Sequence, residues 1–286
     1  MKNIICSFIL SIFMAGNVFA QDNVLTYNVN QCKVILLSEG QQQGKTDILI
    51  GATPEMLNEC APEGVFPNAC NAFLVQAGGK NILIDTGYGR NLFDNLALFD
   101  VTPEQIDAIL ITHMHGDHIG GMLREGVVAF PNAQIYLAQP EYDYWMEEGA
   151  NKAQAQQVIA AYKEQLQLFT PVDIDISGSS ELLPGIRPIA AYGHTPGHTV
   201  YLISNNKAQL LIWGDLTHAM AIQMPYPQVA VRYDVDTQQA VVVREKIMLY
   251  AAQNRIPVAG MHIAYPAIGM LNPNPEGGYL FIPVEK

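Results

Sequence analysis

The segment THMHGDHIGG, at residues 112–121, restricts the possible folds of this chain more than any other part of the sequence. It places three histidines and one aspartate within six residues, namely His113, His115, Asp117 and His118. Burying so many ionisable groups costs free energy unless they are paired or bind a metal. Imidazole and carboxylate at this density are typical ligands of zinc and other borderline divalent ions. Since His113 and His115 can point to one ion while Asp117 and His118 turn to another, the spacing predicts a site that can serve two metals.

The other histidines lie in three further segments, each just past the end of a predicted strand. These segments are GHTPGH at 193–198, WGDLTH at 213–218 and GMH at 260–262. The ionisable candidates that they offer are His194, His198, Asp215, His218 and His262. An isolated histidine is more often a hydrogen-bonded core residue than a ligand. Because all seven histidines of the chain fall in these segments and the first one, the set favours metal ligation.

Short apolar runs rich in β-branched residues alternate with helical patterns along the chain. Strands are predicted at 71–76, 81–87, 108–113, 134–139, 186–193, 199–204, 208–215, 257–262 and 278–284. Helices are predicted at 102–109, 147–168 and 234–254. Two successive sets of strands, each backed by helices, predict an α/β fold in which two mixed β-sheets pack face to face with helices outside, an αββα sandwich. Residues 21–286 contain nothing that reads as a linker, so a single domain is expected.

The N-terminus has the pattern of a secretory signal peptide. Lys2 supplies a positive charge, an apolar run follows from Ile4 to Ala15, and small residues precede the polar Gln21. An uncleaved anchor is the alternative, but a transmembrane helix needs roughly 20 apolar residues and this run is shorter. We therefore expect residues 1–20 to be removed after Ala20 and the protein to be exported, to the periplasm or outside the cell, with no stable membrane insertion after cleavage.

The charge balance bears on the class of partner. The 27 acidic residues outnumber the 15 basic ones, which disfavours nucleic acids and anionic membranes because both carry dense negative charge. A small-molecule substrate is expected instead. The segment VLTYNV, which follows the predicted signal peptide, is apolar enough to pack against a second copy of the chain, and a homodimer is left open.

Three cysteines remain after the predicted cleavage. An exported protein meets oxidising conditions, so a disulfide is chemically possible. Cys60 and Cys70 flank the turn-rich stretch APEGVFPNA and are the favoured pair, with Cys32 left over. Since connectivity cannot be deduced from sequence, free thiols remain an equal alternative.

The motifs together resemble a known family. HMHGDH with the flanking Thr112 and the two glycines, followed by GHTPGH, WGD and a late histidine after a strand, is similar to the metallo-β-lactamase superfamily over essentially the whole mature chain. The segments DYWMEEG, ELLPGIRPIAAYGHTPGHT, LLIWGDLTH and HIAYPAIG further resemble the exported methyl parathion hydrolase branch, whose relatives include lactonases and aryl esterases. The resemblance implies the αββα fold and a two-metal site.

The resemblance also implies a role for each candidate residue. One metal would be held by His113, His115 and His194, the other by Asp117, His118 and His262, with Asp215 bridging both. His198 would be structural or would hydrogen-bond a ligand, and His218 would face the pocket. Asp85, in LIDTG, either orients ligands or is a simple turn residue. Zinc is favoured for both ions, although manganese, iron and cobalt accept the same ligands.

The activity implied by the resemblance is hydrolysis of esters, lactones or phosphotriesters. Two divalent ions about 3.5–4 Å apart would lower the pKa of a bridging water towards about 7, and the resulting hydroxide would be the nucleophile. Asp117 would then pass a proton to the leaving group. The aromatic residues Tyr142, Tyr144 and Trp145 are read either as core or as the lining of a pocket for an aromatic leaving group.

Three other functions fit part of the pattern. A class B-type β-lactamase shares the fold, but the resemblance implies a cysteine or a histidine-supporting arrangement there in place of the bridging Asp215. A thioesterase of the glyoxalase type acts on cytosolic substrates, which the signal peptide disfavours. A non-catalytic metal-binding protein would show a broken ligand set, whereas all seven positions are filled here.

Overall fold

The computed structural model describes residues 24–147, 149, 151–175 and 181–285. The predicted signal peptide at 1–20 lies outside the described residues. Within the described part of the chain, no helix is both long enough and apolar enough to cross a membrane.

The strands and helices are numbered in chain order. The strands are β1 Val24–Val29, β2 Cys32–Lys45, β3 Leu49–Ile50, β4 Val65–Ala77, β5 Lys80–Ile84, β6 Ala108–Leu110, β7 Leu123–Arg124, β8 Val127–Val128, β9 Gln134–Ala138, β10 Leu166–Phe169, β11 Ile186–Ala190, β12 Thr199–Asn205, β13 Ala208–Ile212, β14 Ala230–Val231, β15 Val258–Ala259, β16 Ile268–Pro273 and β17 Tyr279–Pro283. The α-helices are α1 Pro54–Cys60, α2 Leu92–Ala97, α3 Gly116–Ile119, α4 Gln139–Met146, α5 Ala153–Ala161, α6 Met220–Gln223 and α7 Thr237–Asn254. Single 3₁₀ turns lie at Thr46–Ile48, Pro103–Gln105 and Gly120–Met122.

Most of the strands form two mixed sheets. The first has the order β1-β2-β4-β5-β6-β9-β10 and the second the order β11-β12-β13-β15-β16-β17. Parallel pairs run through β5, β6, β9 and β10 in the first sheet and join β13 to β15 in the second, while the other neighbours are antiparallel. The sheets pack together with helices outside, so the predicted αββα sandwich is confirmed.

The alternation of residues along β2 shows how the layers are held. Val34 and Leu36 are buried in the cluster between the two sheets, together with β12 residues such as Val200. Ile35 and Leu37 point to the opposite face and are buried against the outer helices. Successive side chains of a strand point to opposite faces, so a strand that is apolar at every position is buried on both. Each of these side chains contributes about 1.5–3 kcal/mol through burial.

The predicted helix at 147–168 is wrong at both ends. Helix α4 ends at Met146, α5 begins only at Ala153, and residues from Leu166 form β10. Tyr162 is the capping residue that directly follows α5. Its hydroxyl group donates to Met122 O at 2.7 Å and accepts from Phe130 N at 3.1 Å. The chain after Tyr162 then extends beside β9 as a parallel strand, because pairing along the sheet satisfies the backbone groups that the helix no longer pairs.

Two other predicted helices differ at their ends. The helix predicted at 102–109 is a single turn, Pro103–Gln105, whose preceding Thr102 N donates to Gln105 Oε1 at 2.8 Å. Helix α7 begins at Thr237, three residues later than predicted from 234, because the Asp236 side chain caps it by accepting from Gln239 N at 2.9 Å. Its end at Asn254 agrees with the prediction.

The cysteines and the VLTYNV segment each carried two alternatives. Cys32, Cys60 and Cys70 are all free thiols, so the structure has the free-thiol alternative and not the Cys60–Cys70 pair. VLTYNV is strand β1, which pairs antiparallel with β2 of the same chain along its whole length. Its apolar character is therefore explained within the chain, and the homodimer stays a prediction.

Candidate metal centre

The ionisable residues of the four motifs meet at one edge of the sandwich. Asp85 follows β5, the THMHGDH segment follows β6, His194 follows β11, Asp215 follows β13 and His262 follows β15. The strands β5 and β6 run parallel, as do β13 and β15, so their carboxyl ends face the same way. The two sheets are joined beside the site, where Thr199 N donates to Thr112 O at 2.9 Å. The fold thus brings together side chains that lie far apart in the sequence.

Three histidines form the first group, which we call the three-histidine group: His113, His115 and His194. His113 Nε2 lies 2.9 Å from His115 Nδ1 and 3.2 Å from His194 Nε2, and the last two nitrogens are 3.0 Å apart. Tetrahedral zinc with Zn–N bonds of about 2.0–2.1 Å separates its ligand nitrogens by roughly 3.3 Å. The three-histidine group therefore has nearly the spacing of a zinc site.

Asp117, His118 and His262 form the second group, which we call the mixed group. His262 Nε2 lies 3.5 Å from Asp117 Oδ2, and His118 Nε2 lies 3.8 Å from Asp117 Oδ1. The ligand atoms of the three residues all lie within 4.8 Å of one another. The mixed group offers the carboxylate and two imidazoles that the sequence assigned to a second ion.

Asp215 lies between the two groups. Its Oδ1 is 3.1 Å from His118 Nε2, and its Oδ2 is 3.3 Å from His194 Nε2 and 3.2 Å from His262 Nε2. Burial alone would raise the pKa of this carboxyl group, but the His118 and His262 imidazoles hold the pKa well below its usual value. A single ionised carboxylate thus contacts ligands of both groups, which is the position that the sequence assigned to a bridging residue.

Two buried polar atoms at the centre test whether a metal fits. Neither His118 Nε2 nor Asp215 Oδ1 makes a hydrogen bond of acceptable geometry with any described residue, although the two lie close together. A buried polar atom without a partner costs free energy. An imidazole nitrogen and a carboxylate oxygen are both metal ligands, so divalent ions coordinated here would satisfy both atoms.

Carboxylates outside the two groups orient the ligands. Asp85 Oδ2 lies 2.7 Å from His118 Nδ1, and the same carboxylate accepts from Thr112 N at 2.8 Å and from Thr112 Oγ1 at 2.6 Å. These contacts favour the ligand-orienting interpretation of Asp85 over the turn interpretation. Asp234 Oδ1 lies 2.8 Å from His194 Nδ1 in the same arrangement. Carboxylate–histidine pairs of this kind fix the ring and leave the other nitrogen free for a metal.

The two remaining histidines differ in role. His198 Nδ1 donates to Ala191 O at 2.9 Å, and its Nε2 accepts from Asp215 N at 3.0 Å. Burial lowers the pKa of His198 to about 3, so the ring is neutral and structural, as predicted. His218 Nε2 lies 3.0 Å from Asp215 Oδ2, and its ring borders the cavity, also as predicted.

Several residues that position the site were missed by the sequence analysis. Asp234 is one, and Glu141 and Arg244, described below, are two more. Asn71 on β4 is a fourth: its Nδ2 donates to Gly260 O at 3.0 Å and to Ile263 O at 2.8 Å, which brackets His262. All lie far in sequence from the residues that they hold, and a single sequence carries no signal for such pairs.

A cavity of about 710 Å³ opens onto the two groups. Aromatic side chains on its wall are Phe66, Tyr88 and Tyr233, and polar ones include Gln42 and Asn68. Lys45 and Arg232 add positive charge at exposed positions. The cavity can therefore accept an uncharged or anionic small molecule with an apolar portion.

Trp145 is not one of the described residues that line this cavity. It is buried on α4 and packs edge-on against His115, with 5.6 Å between the ring centroids. With Tyr144 it borders a second cavity of about 400 Å³ that shares His115 with the first. Tyr142 packs against the outer core cluster. The core interpretation thus fits Tyr142 and also Trp145, which is a buried member of the same cluster, although Trp145 borders the second cavity and contacts His115 as well.

Comparison with known proteins gives the family of this chain. The model of the metallo-beta-lactamase superfamily matches residues 65–251. An N-acyl homoserine lactonase of Bacillus cereus is 26% identical over 166 residues, 49% of this chain and 60% of the relative. An atrochrysone carboxyl ACP thioesterase of Aspergillus chevalieri is 39% identical over 95 residues, 31% of this chain and 30% of the relative. The chain thus spans about 30% to 60% of the length of these curated relatives.

Two solved structures resemble this chain over most of its length. The hydrolase AbOPH, of the beta lactamase superfamily, superposes with a TM-score of 0.82 at 28% identity and covers 92% of this chain and 98% of its own. AidC, a dizinc quorum-quenching lactonase, also gives a TM-score of 0.82, at 23% identity and the same coverage. At that identity, the likeness to AidC shows the fold alone.

Proposed function

Because this chain belongs to the metallo-beta-lactamase superfamily, with a His/Asp metal-binding cluster in the position described, we propose that it is a dinuclear metal-dependent hydrolase of esters, lactones or phosphotriesters. The observation that carries the proposal is Asp215, whose carboxylate contacts histidines of both the three-histidine group and the mixed group. A site for one ion would not need a buried carboxylate shared in this way.

The chemistry divides between the ions and the protein. When bound, a pair of divalent ions supplies Lewis acidity and lowers the pKa of a coordinated water from 15.7 towards about 7. The chain contributes Asp117, whose side chain is 22% exposed and borders the cavity. Burial alone would raise the pKa of Asp117, but His118 and His262 lower it. The carboxylate is therefore ionised at neutral pH and can accept a proton and pass it to the leaving group.

The cavity supports a small, partly apolar substrate. Its volume of about 710 Å³ falls in the range of about 300–1,000 Å³ that is usual for small-molecule sites. Phe66, Tyr88 and Tyr233 can pack against an acyl or aryl portion, while Gln42 and Asn68 can hydrogen-bond a polar group. The lactonase relative from Bacillus cereus supports lactones within this class, and the resemblance to the methyl parathion hydrolase branch supports phosphotriesters.

The proposal also covers the identity of the metal, the cellular location and the oligomeric state. We propose zinc as the metal because the spacing of the three-histidine group suits it. The signal-peptide pattern at 1–20 supports export to the periplasm or beyond, and a homodimer remains part of the proposal.

The test is a panel of substrates for the purified protein: a p-nitrophenyl ester, an acyl lactone, an organophosphate triester and nitrocefin. We expect turnover of one or more of the first three, loss of that turnover on treatment with a chelator, and its recovery when zinc is restored. Nitrocefin should not be turned over.

Two results would contradict the proposal. Turnover of nitrocefin alone would make the protein a β-lactamase of the same superfamily. Turnover that persists at full rate after both ions are removed would show that the reaction does not depend on the metal centre.

A further inference from the structure

The three-histidine group is assembled from two loops of different sheets. His113 and His115 follow β6 of the first sheet, while His194 follows β11 of the second. The loops are 81 residues apart in sequence, measured between His113 and His194, yet their ring nitrogens lie 3.2 Å apart. Metal affinity depends on how well the spacing of the ligand atoms is held before the ion binds. A residue that bonds to both loops would therefore affect the affinity of this group.

Glu141 provides such a connection. It lies on α4 and is fully buried, with no exposed surface. Its Oε1 accepts from Met114 N at 2.9 Å, and Met114 stands between His113 and His115. Its Oε2 accepts from Thr195 Oγ1 at 2.6 Å and from Gly197 N at 3.0 Å, on the loop that carries His194. One carboxylate thus bonds the two ligand loops, one through each oxygen.

The packing around Glu141 leaves little room for movement. A Cβ atom on residue 197 would overlap the backbone of Glu141, so the loop and helix α4 are in close contact. Trp145, one turn later, donates from Nε1 to Glu141 Oε1 at 2.5 Å and packs against the His115 ring. Burial raises the pKa of the Glu141 carboxyl group, but all four donors oppose that rise because they stabilise the ionised form.

We propose that Glu141 is a positioning residue that sets the spacing between the His113–His115 loop and His194, and thereby the affinity of the three-histidine group for a metal ion. The inference rests on the metal centre proposed above. Glu141 does not bond to the mixed group, so its influence falls on one of the two metal positions. Partners that orient metal ligands in this way typically alter metal affinity by about 10- to 100-fold.

Glutamine is the informative substitution at this position. Its amide has nearly the same size and shape, but only one of its two terminal atoms accepts hydrogen bonds. In one orientation the amide oxygen accepts from Met114 N and Trp145 Nε1, and the amide NH₂ then faces Gly197 N–H, which is also a donor. In the opposite orientation the NH₂ faces the Met114 N–H donor instead. Glu141→Gln therefore keeps the packing of α4 and removes at least one hydrogen bond to one of the two loops, since of its loop partners only the Thr195 hydroxyl can accept as well as donate.

The experiment measures the affinity of each metal position in wild type and Glu141→Gln, by competition of Zn²⁺ with a chelator and from the absorption spectrum of the Co²⁺-loaded protein. We expect one affinity to fall by about 10- to 100-fold while the other stays within a factor of about 3. The Co²⁺ bands of the three-histidine group should shift. The matched control is Glu164→Gln, which removes the carboxylate from an exposed side chain that pairs with Lys163, and should leave both affinities unchanged.

Two outcomes would overturn the inference. Unchanged affinities and spectrum in Glu141→Gln would show that Glu141 only stabilises the fold, and an equal fall at both positions would show a general loss of structure. If Glu141→Gln does not fold, Thr195→Val removes one of the four hydrogen bonds and should weaken the same position by a smaller factor; no change there would also overturn the inference. If wild type itself binds no metal, the proposed function fails, which is a separate result.

Discussion

Asp215→Asn is expected to lower kcat/KM by at least about 10²- to 10³-fold, since even partners outside the coordination sphere cost about 10- to 100-fold when removed. At about 1.4 kcal/mol per factor of ten, the loss corresponds to roughly 3–4 kcal/mol of transition-state stabilisation. The physical reason is the position of Asp215 between the two groups, with one oxygen near His118 and the other near His194 and His262. Asparagine removes the negative charge and turns an NH₂ donor towards the histidines of one of the two groups.

The measurement is kcat/KM together with metal content for wild type and variant. Asp173→Asn is the matched control, since it makes the same chemical change at a half-exposed carboxylate, which pairs with surface Lys246 and accepts from Asp175 N far from the metal centre. It should leave both quantities unchanged. If Asp215→Asn kept two ions per chain and most of the wild-type activity, Asp215 would not bridge the two groups.

Arg244→Met is expected to reduce the free energy of unfolding by about 3–5 kcal/mol, the usual cost of removing one partner from a buried ion pair. Arg244 lies on α7 and is 1% exposed. Its guanidinium donates to Leu216 O at 2.6 Å, to Pro227 O at 2.9 Å and to Val229 O at 2.8 Å, and approaches Asp234 Oδ2 to 3.7 Å. Methionine fills a similar volume but leaves these oxygens buried with fewer donors.

Unfolding in denaturant would measure this loss. The matched control is Lys246→Met on the same helix, whose ammonium pairs with Asp173 and Asp175 at the surface. Exposed pairs contribute about 0–1 kcal/mol, so the control should change little. A loss for Arg244→Met no larger than that of the control would show that the buried guanidinium does not support the fold.

The ligand set was predictable because metal binding restricts the types of residue. Histidine and aspartate concentrated at strand ends are hard to explain as packing, so HMHGDH alone identified four ligand candidates. The structure brings all of them together with His194, Asp215 and His262, as predicted. The layered fold was predictable for a similar reason, since strands buried on both faces read as continuous apolar runs, as in β4 and β12.

The supporting residues were not predictable because their partners are distant in the sequence. Asp234 is 40 residues from His194, and Glu141 is 54 residues from Thr195. Nothing in the local pattern YDV or PEYDYW distinguishes these carboxylates from exposed ones. Their function depends on which loops the fold places beside them, and that is a property of the tertiary structure.

The wrong helix boundaries have a different cause. Residues 147–168 contain Ala, Gln, Lys and Glu, which are good helix formers, and the pattern predicts one long helix. The chain instead breaks near Asn151, whose φ of 65° lies in the left-handed region, and it re-enters the first sheet at Leu166. Pairing with β9 outweighs helix propensity here, because the differences in propensity amount to less than about 1 kcal/mol per residue.

We propose that two groups of side chains, joined by Asp215, hold two catalytic ions. The most direct test is elemental analysis of the purified protein while one ion and then the other is withdrawn by a chelator, with hydrolysis of the best substrate followed at each step. We predict about two divalent ions per chain before treatment and a loss of activity with the first ion removed. Full activity with one ion or none bound would contradict the claim.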